Sequence, residues 1–124
     1  MLTKMLIVGL AAATTAVATG TATFTLYSEP NCGGSVVETA NLGELDTPHF
    51  PKNGQTFASC RVTDVSQSLL GLSPPVHGSI ETSNQCCETT FKLTNSNPGC
   101  NNLDNAGIFT LTNKGPALGS QCLC

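Results

Sequence analysis

The sequence predicts an all-β fold: a small β-sandwich held by disulfides. Three observations carry this expectation. Short β-branched and aromatic runs alternate with turn residues, with no helical period after the first segment. The 7 cysteines all lie beyond residue 30. Residues 1–18 have the form of an export signal, which places the rest in an oxidising compartment.

Taken in order, Lys4 gives the leader a positive start, Met5 to Ala13 is an apolar run, and Ala16-Val17-Ala18 offers the small residues a signal peptidase needs. Cleavage is expected before Thr19. The apolar run is shorter than the roughly 20 residues needed to span a bilayer. The mature chain is then 19–124, a single domain secreted to the extracellular space. A core of this size is marginal without covalent staples. Its basic residues are Lys52, Arg61, Lys92 and Lys114, outnumbered by acids in a chain of net charge −3. That balance speaks against nucleic acid and anionic membranes as partners.

Strands are expected near Thr21–Tyr27, Ser35–Thr39, Thr56–Val62, Glu88–Thr94, Gly107–Thr112 and Ser120–Leu123. Turn clusters separate them, at Asn31-Cys32-Gly33-Gly34, Pro51-Lys52-Asn53-Gly54, Asn97-Pro98-Gly99 and Lys114-Gly115-Pro116. The stretch 66–87, with Pro74-Pro75, reads as an inserted loop with an irregular start at Ser68–Leu72. A weak repeat relates Thr23-Phe24-Thr25-Leu26 to Thr90-Phe91-Lys92-Leu93, and Ala58-Ser59-Cys60 to Ser120-Gln121-Cys122. Two β units follow, 22–62 and 88–124.

The first unit resembles a βγ-crystallin Greek-key motif. Tyr27 is followed at the family's spacing by Gly34, and Phe57-Ala58-Ser59-Cys60-Arg61-Val62 is similar to its closing strand. The resemblance implies a folded first hairpin with the Tyr27 ring packed on it, Gly34 in a conformation denied to side chains, and Ser59 bonded to the hairpin. In the second unit Gly99 comes eight positions after Phe91, which departs from the pattern. Relatives that bind calcium carry acidic or amide residues where this chain has Gly54-Gln55, and a hydroxyl where it has Ala58. No strong calcium site and no other cofactor is expected, although Asn53 offers one oxygen. Asn101, Asn102, Asp104 and Asn105 read as a turn.

The mature cysteines are Cys32, Cys60, Cys86, Cys87, Cys100, Cys122 and Cys124. Zinc is disfavoured, because no Cys-x-x-Cys pair occurs. Neighbours Cys86 and Cys87 are poorly placed to pair with each other. The repeat suggests bridges Cys32–Cys60 and Cys100–Cys122, with Cys86 or Cys87 joined to Cys124. The odd cysteine is then free, or links two chains as a dimer.

Enzyme signatures are weak. His49 lies between Pro48 and Phe50-Pro51, and His77 follows Pro74-Pro75-Val76, so both read as loop residues. No Gly-x-Ser-x-Gly is present. Glu29, Glu38, Glu44 and Asp46 form the best carboxylate set, but the chain has no Trp and 1 Tyr to make a sugar platform. The expected function is therefore non-catalytic: an extracellular cysteine-rich protein whose loops at 40–55 and 66–85 contact a partner protein or cell-wall component. The crystallin-like resemblance implies a fungal effector as the leading type. The alternatives are a killer-toxin-like antimicrobial and a cell-wall or structural protein.

Overall fold

The computed structural model describes residues 20–94 and 99–114. The leader, the expected strand Ser120–Leu123, and the pairing of Cys122 and Cys124 lie outside the described residues. Six strands form one sheet: β1 (Ala22–Glu29), β2 (Gly33–Leu42), β3 (Phe57–Thr63), β4 (His77–Thr82), β5 (Glu88–Lys92) and β6 (Asn101–Thr112), in spatial order β2-β1-β3-β6-β4-β5. All pairings between these strands are antiparallel. No helix among the described residues is long and apolar enough to cross a membrane.

The sequence pattern explains the first strands directly. Along β1, Ala22, Phe24 and Leu26 are buried while Thr23, Thr25 and Tyr27 are half-exposed, the period-2 signature of a strand with one face on a core. The turn after β1 is tight. Asn31 (φ 59°) and Cys32 (φ 60°) both adopt left-handed backbone, which lets the chain reverse within three residues.

β6 joins the two halves of the molecule. Its first residues pair with β3, Cys60 opposite Asn101 and Ser59 opposite Asn102. Its last pair with β4, from Ala106 opposite Thr82 to Thr112 opposite His77. A register shift separates Phe57 from Ser59 in the β3 ladder, beside Asn105 at φ 55°. The segment 45–49 crosses in the other direction. Leu45 and His49 bridge to Leu111 and Phe109 on β6, with His49 and Phe109 exchanging backbone hydrogen bonds of 3.0 Å.

The sheet folds over on itself. β1 and β5 are four strand steps apart in its order, roughly 19 Å in a flat sheet with about 4.8 Å between strands. Yet the rings of Phe24 on β1 and Phe91 on β5 lie 6.3 Å apart, and Phe24 meets Phe109 on β6 at 5.5 Å. Phe57 stands edge-on to Phe109 at 6.2 Å. Around these rings pack Leu26, Val62, Ile80 and Leu111. A single helical turn, α1 (Gln67–Leu70), adds Leu69 to the core near the irregular start expected at Ser68–Leu72.

Three expectations are corrected. The stretch 66–87 is not only a loop: it contains β4, in the interior of the sheet. Small residues hid this strand. Gly78 lies beneath two rings, and a Cβ there would stand 2.6 Å from the Phe91 ring and 3.2 Å from that of Phe24. The repeat is therefore displaced. β4 and β5 occupy the places in the second half that β1 and β2 hold in the first, so Phe91 sits on an edge strand rather than answering Phe24. Finally, Asn101, Asn102, Asp104 and Asn105 belong to β6 and not to a turn. The first two use their side chains across strands and turn: Asn101 Nδ2 donates to the Cys60 carbonyl at 3.5 Å, and Asn102 meets Asn31.

The bridge pattern also differs from expectation. Cys32 pairs with Cys100, Cα atoms 5.7 Å apart, and Cys60 is a free, buried thiol. Adjacent strand residues face opposite sides. Ser59 faces the hairpin turn that holds Cys32, so Cys60 points away into the core. The odd thiol has no exposed surface to offer a second chain. Cys86 and Cys87 are both disulfide-bonded.

Candidate functional site

The first hairpin is locked at its turn. The Ser59 hydroxyl, fully buried, donates to the Glu29 carbonyl at 2.6 Å and accepts from the Cys32 N–H at 2.9 Å. Gly34 has φ +74°, and a Cβ there would overlap the Ser28 hydroxyl. Asn31 and Asn102 close the other side. The Asn31 N–H donates to Asn102 Oδ1 at 2.8 Å, and Asn102 Nδ2 donates to Asn31 Oδ1 at 3.0 Å. With the Cys32–Cys100 bridge one residue from Asn31 and two from Asn102, the turn is fastened to β3 and to the start of β6 at once. Tyr27 is half-buried on β1, opposite Ser59 on β3 and Val36 on β2.

The histidines lie in ordered backbone, not in free loops. His77 is on β4 between Lys92 and Thr112, and His49 packs its ring on Phe109 at 5.7 Å. His49 Nε2 and His77 Nδ1 are buried and have no hydrogen-bond partner.

The carboxylates expected to gather around the first unit are separated. Glu38 accepts the Lys52 N–H at 2.8 Å, and Glu29 and Glu44 are exposed. Asp46 joins the second half, accepting from the Thr112 hydroxyl at 2.6 Å, with Lys114 Nζ at 3.5 Å. There it shares a cleft of about 240 Å³ with Glu81 and Glu88, which the sequence reading did not single out. Glu81 on β4 stands opposite Glu88 on β5 and is only 8% exposed. Burial, and then the Glu88 charge, raise the Glu81 carboxyl above its ordinary value. The usable signal was alternation: His77, Ser79 and Glu81 share one face, while Gly78 and Ile80 face the core. Among the described residues no three His, Cys, Asp or Glu converge as a metal site.

Among the described residues two large apolar side chains are exposed: Val36 (55%) on β2 and Phe50 (63%). Phe50 sits on a held segment. The Asp46 N–H donates to the Leu111 carbonyl at 2.7 Å, His49 pairs with Phe109, and Lys52 is tied to Glu38. Pro51, next to Phe50, is buried. Compared with known proteins, the chain matches no family model, no curated protein and no solved structure.

Proposed function

We propose that this chain is an exported, non-catalytic interaction domain of the βγ-crystallin-like, double Greek-key kind, acting as an effector on an extracellular partner. The observation that carries a binding role is the presentation of Phe50. An aromatic ring with most of its surface in water stands on backbone held at Asp46, His49 and Lys52. Rigid aromatic side chains are favoured anchors in interfaces, because little conformational freedom is lost on binding. The loop lies within the 40–55 stretch expected to make partner contacts.

The crystallin-like reading is supported by three features: the Ser59 lock, the positive φ of Gly34, and the exchange of segments between halves. The export reading is supported by the leader and by disulfides at Cys32, Cys100, Cys86 and Cys87.

Export is tested by N-terminal sequencing of protein from the medium, with Thr19 expected first. Binding is tested by cross-linking the purified mature protein in extracellular fluid, wild type against Phe50→Ala. A specific adduct lost in the variant upholds the reading. An adduct pattern unchanged by Phe50→Ala removes its basis. Growth inhibition of yeast or bacteria by the pure protein would favour the antimicrobial alternative.

A further inference from the structure

We propose that the Cys32–Cys100 bridge is a directed thiol-exchange site: a small external thiol becomes bonded to Cys32, and Cys100 leaves as a thiolate beside Arg61. This site is separate from the Phe50 loop and stands whether or not that loop binds a partner.

The two ends of the bridge meet different groups on β3. Ser59 and Arg61 lie on the same face of that strand. The Ser59 hydroxyl accepts the Cys32 N–H at 2.9 Å, while an Arg61 guanidinium N–H donates to the Cys100 sulfur at 3.4 Å. Among the described residues no basic side chain bonds to the Cys32 sulfur.

Arg61 lacks an anion. Its Nε is buried and unpartnered, and among the described residues no carboxylate forms an ion pair with it. A half-buried guanidinium without a counter-charge is unusual, because its desolvation is not offset. Sulfur in a disulfide is a weak acceptor, so the present contact gives little. A thiolate at the same position carries a full charge and takes a charge-assisted hydrogen bond. Arg61 therefore holds the opened state of Cys100 better than the closed bridge. That lowers the barrier for the path that puts charge on Cys100 rather than on Cys32.

The step is a displacement at sulfur. The thiol gives its proton to water, and the thiolate attacks the Cys32 sulfur and forms a new S–S bond there. The Cys32–Cys100 bond breaks, and its electron pair leaves with Cys100. One disulfide and one thiolate enter and one of each remains, so no oxidant or reductant is consumed. Cys32 and Cys100 are half-buried, on a turn whose residues Asn31, Gly34 and Ser35 are exposed. Opening does not release the turn, because the Ser59 and Asn102 hydrogen bonds to it need no sulfur. Cys32 is thereby a reversible modification site on a turn that stays in place.

The test treats the disulfide-intact protein with 2-mercaptoethanol at pH 8, quenches with iodoacetamide at intervals, and maps the peptides by mass spectrometry. The mercaptoethanol adduct is expected on Cys32 and the alkyl group on Cys100. Arg61→Met keeps a long side chain without the charge, and should slow opening of this bridge about tenfold through loss of one charge-assisted contact. Arg61→Lys should restore most of the rate. A merely structural role for Arg61 gives the opposite sign, since a loosened fold opens its bridges faster. The bridges of Cys86 and Cys87 in the same samples should open at the wild-type rate. An adduct on Cys100, or one spread evenly over both cysteines, overturns the proposal in wild-type protein alone. So does an Arg61→Met bridge that opens as fast as wild type or faster, or an Arg61→Lys bridge no faster than that of Arg61→Met.

Discussion

The Ser59 hydroxyl donates to the Glu29 carbonyl at 2.6 Å across 30 residues of sequence. With the Cys32 N–H donating back to the same oxygen, one buried side chain holds both arms of the first hairpin turn on β3. Ser59→Ala leaves the Glu29 carbonyl and the Cys32 N–H, both part-buried, without that partner. A loss of about 2–3 kcal/mol is expected, read as a lower denaturant midpoint at unchanged slope. A midpoint within error of wild type would show that the lock is not needed.

The Cys32–Cys100 bridge spans a sequence separation of 68 and fastens the same turn to β6. On chain entropy alone, opening a loop of that length costs roughly 4 kcal/mol. Cys32→Ser with Cys100→Ser should therefore destabilise the protein by several kcal/mol, and strongly raise its digestion by a nonspecific protease. Equal digestion of bridged and unbridged protein would remove the bridge from the account of stability.

Cys60 should be silent until the protein unfolds. Burial pushes its thiol up to about 12 and leaves no exposed surface. Iodoacetamide at pH 8 is expected to leave the native protein unlabelled, and to label Cys60 alone after denaturation without reductant. Peptide mapping of the same sample should join the Cys86-Cys87 peptide to the one carrying Cys122 and Cys124, the only other cysteines. Labelling of native protein at Cys60 would contradict its place in the core.

Gly78 is the position where sheet and rings meet. Gly78→Val forces a branched side chain into space taken by Phe91 and Phe24, with an expected loss of about 1–3 kcal/mol. Combining it with Phe91→Ala should recover part of the loss if the clash is the cause. Additive losses in a double-mutant cycle would reject the contact.

Glu81 gives the pH dependence a sign. Its folded carboxyl holds its proton more tightly than the unfolded chain does. Its contribution is fully present below the ordinary carboxylate value of 4.5 and is lost as pH rises through the raised folded value. Glu81→Gln should flatten that decline and make the protein more stable than wild type near neutral pH. Denaturant midpoints measured from pH 4 to pH 8 check this, and parallel curves for the two proteins would refute it.

Much of the first half was legible in the chain. Alternation in Ala22–Leu26 marks β1 because the strand carries large apolar residues on one face only. The Tyr27 to Gly34 spacing and Ser59 mark the turn because its backbone admits few side chains. β4 was not legible, since Gly78 and Ser79 are small for a reason supplied by residues distant in sequence. The acidic cleft was missed with it, because Glu81 gains its meaning only from the strand it stands on.

The sequence by itself determined the β class, the first hairpin turn and the supply of cysteines, all properties of short stretches of chain. Tertiary structure decided which cysteine met Cys32, which residues covered Gly78, and how Asp46 came to share a cleft with Glu81. Each of those depends on strands brought side by side from across the sequence. A strand also shows opposite faces at successive residues, so a shift of one position exchanges a buried thiol for a bonded hydroxyl.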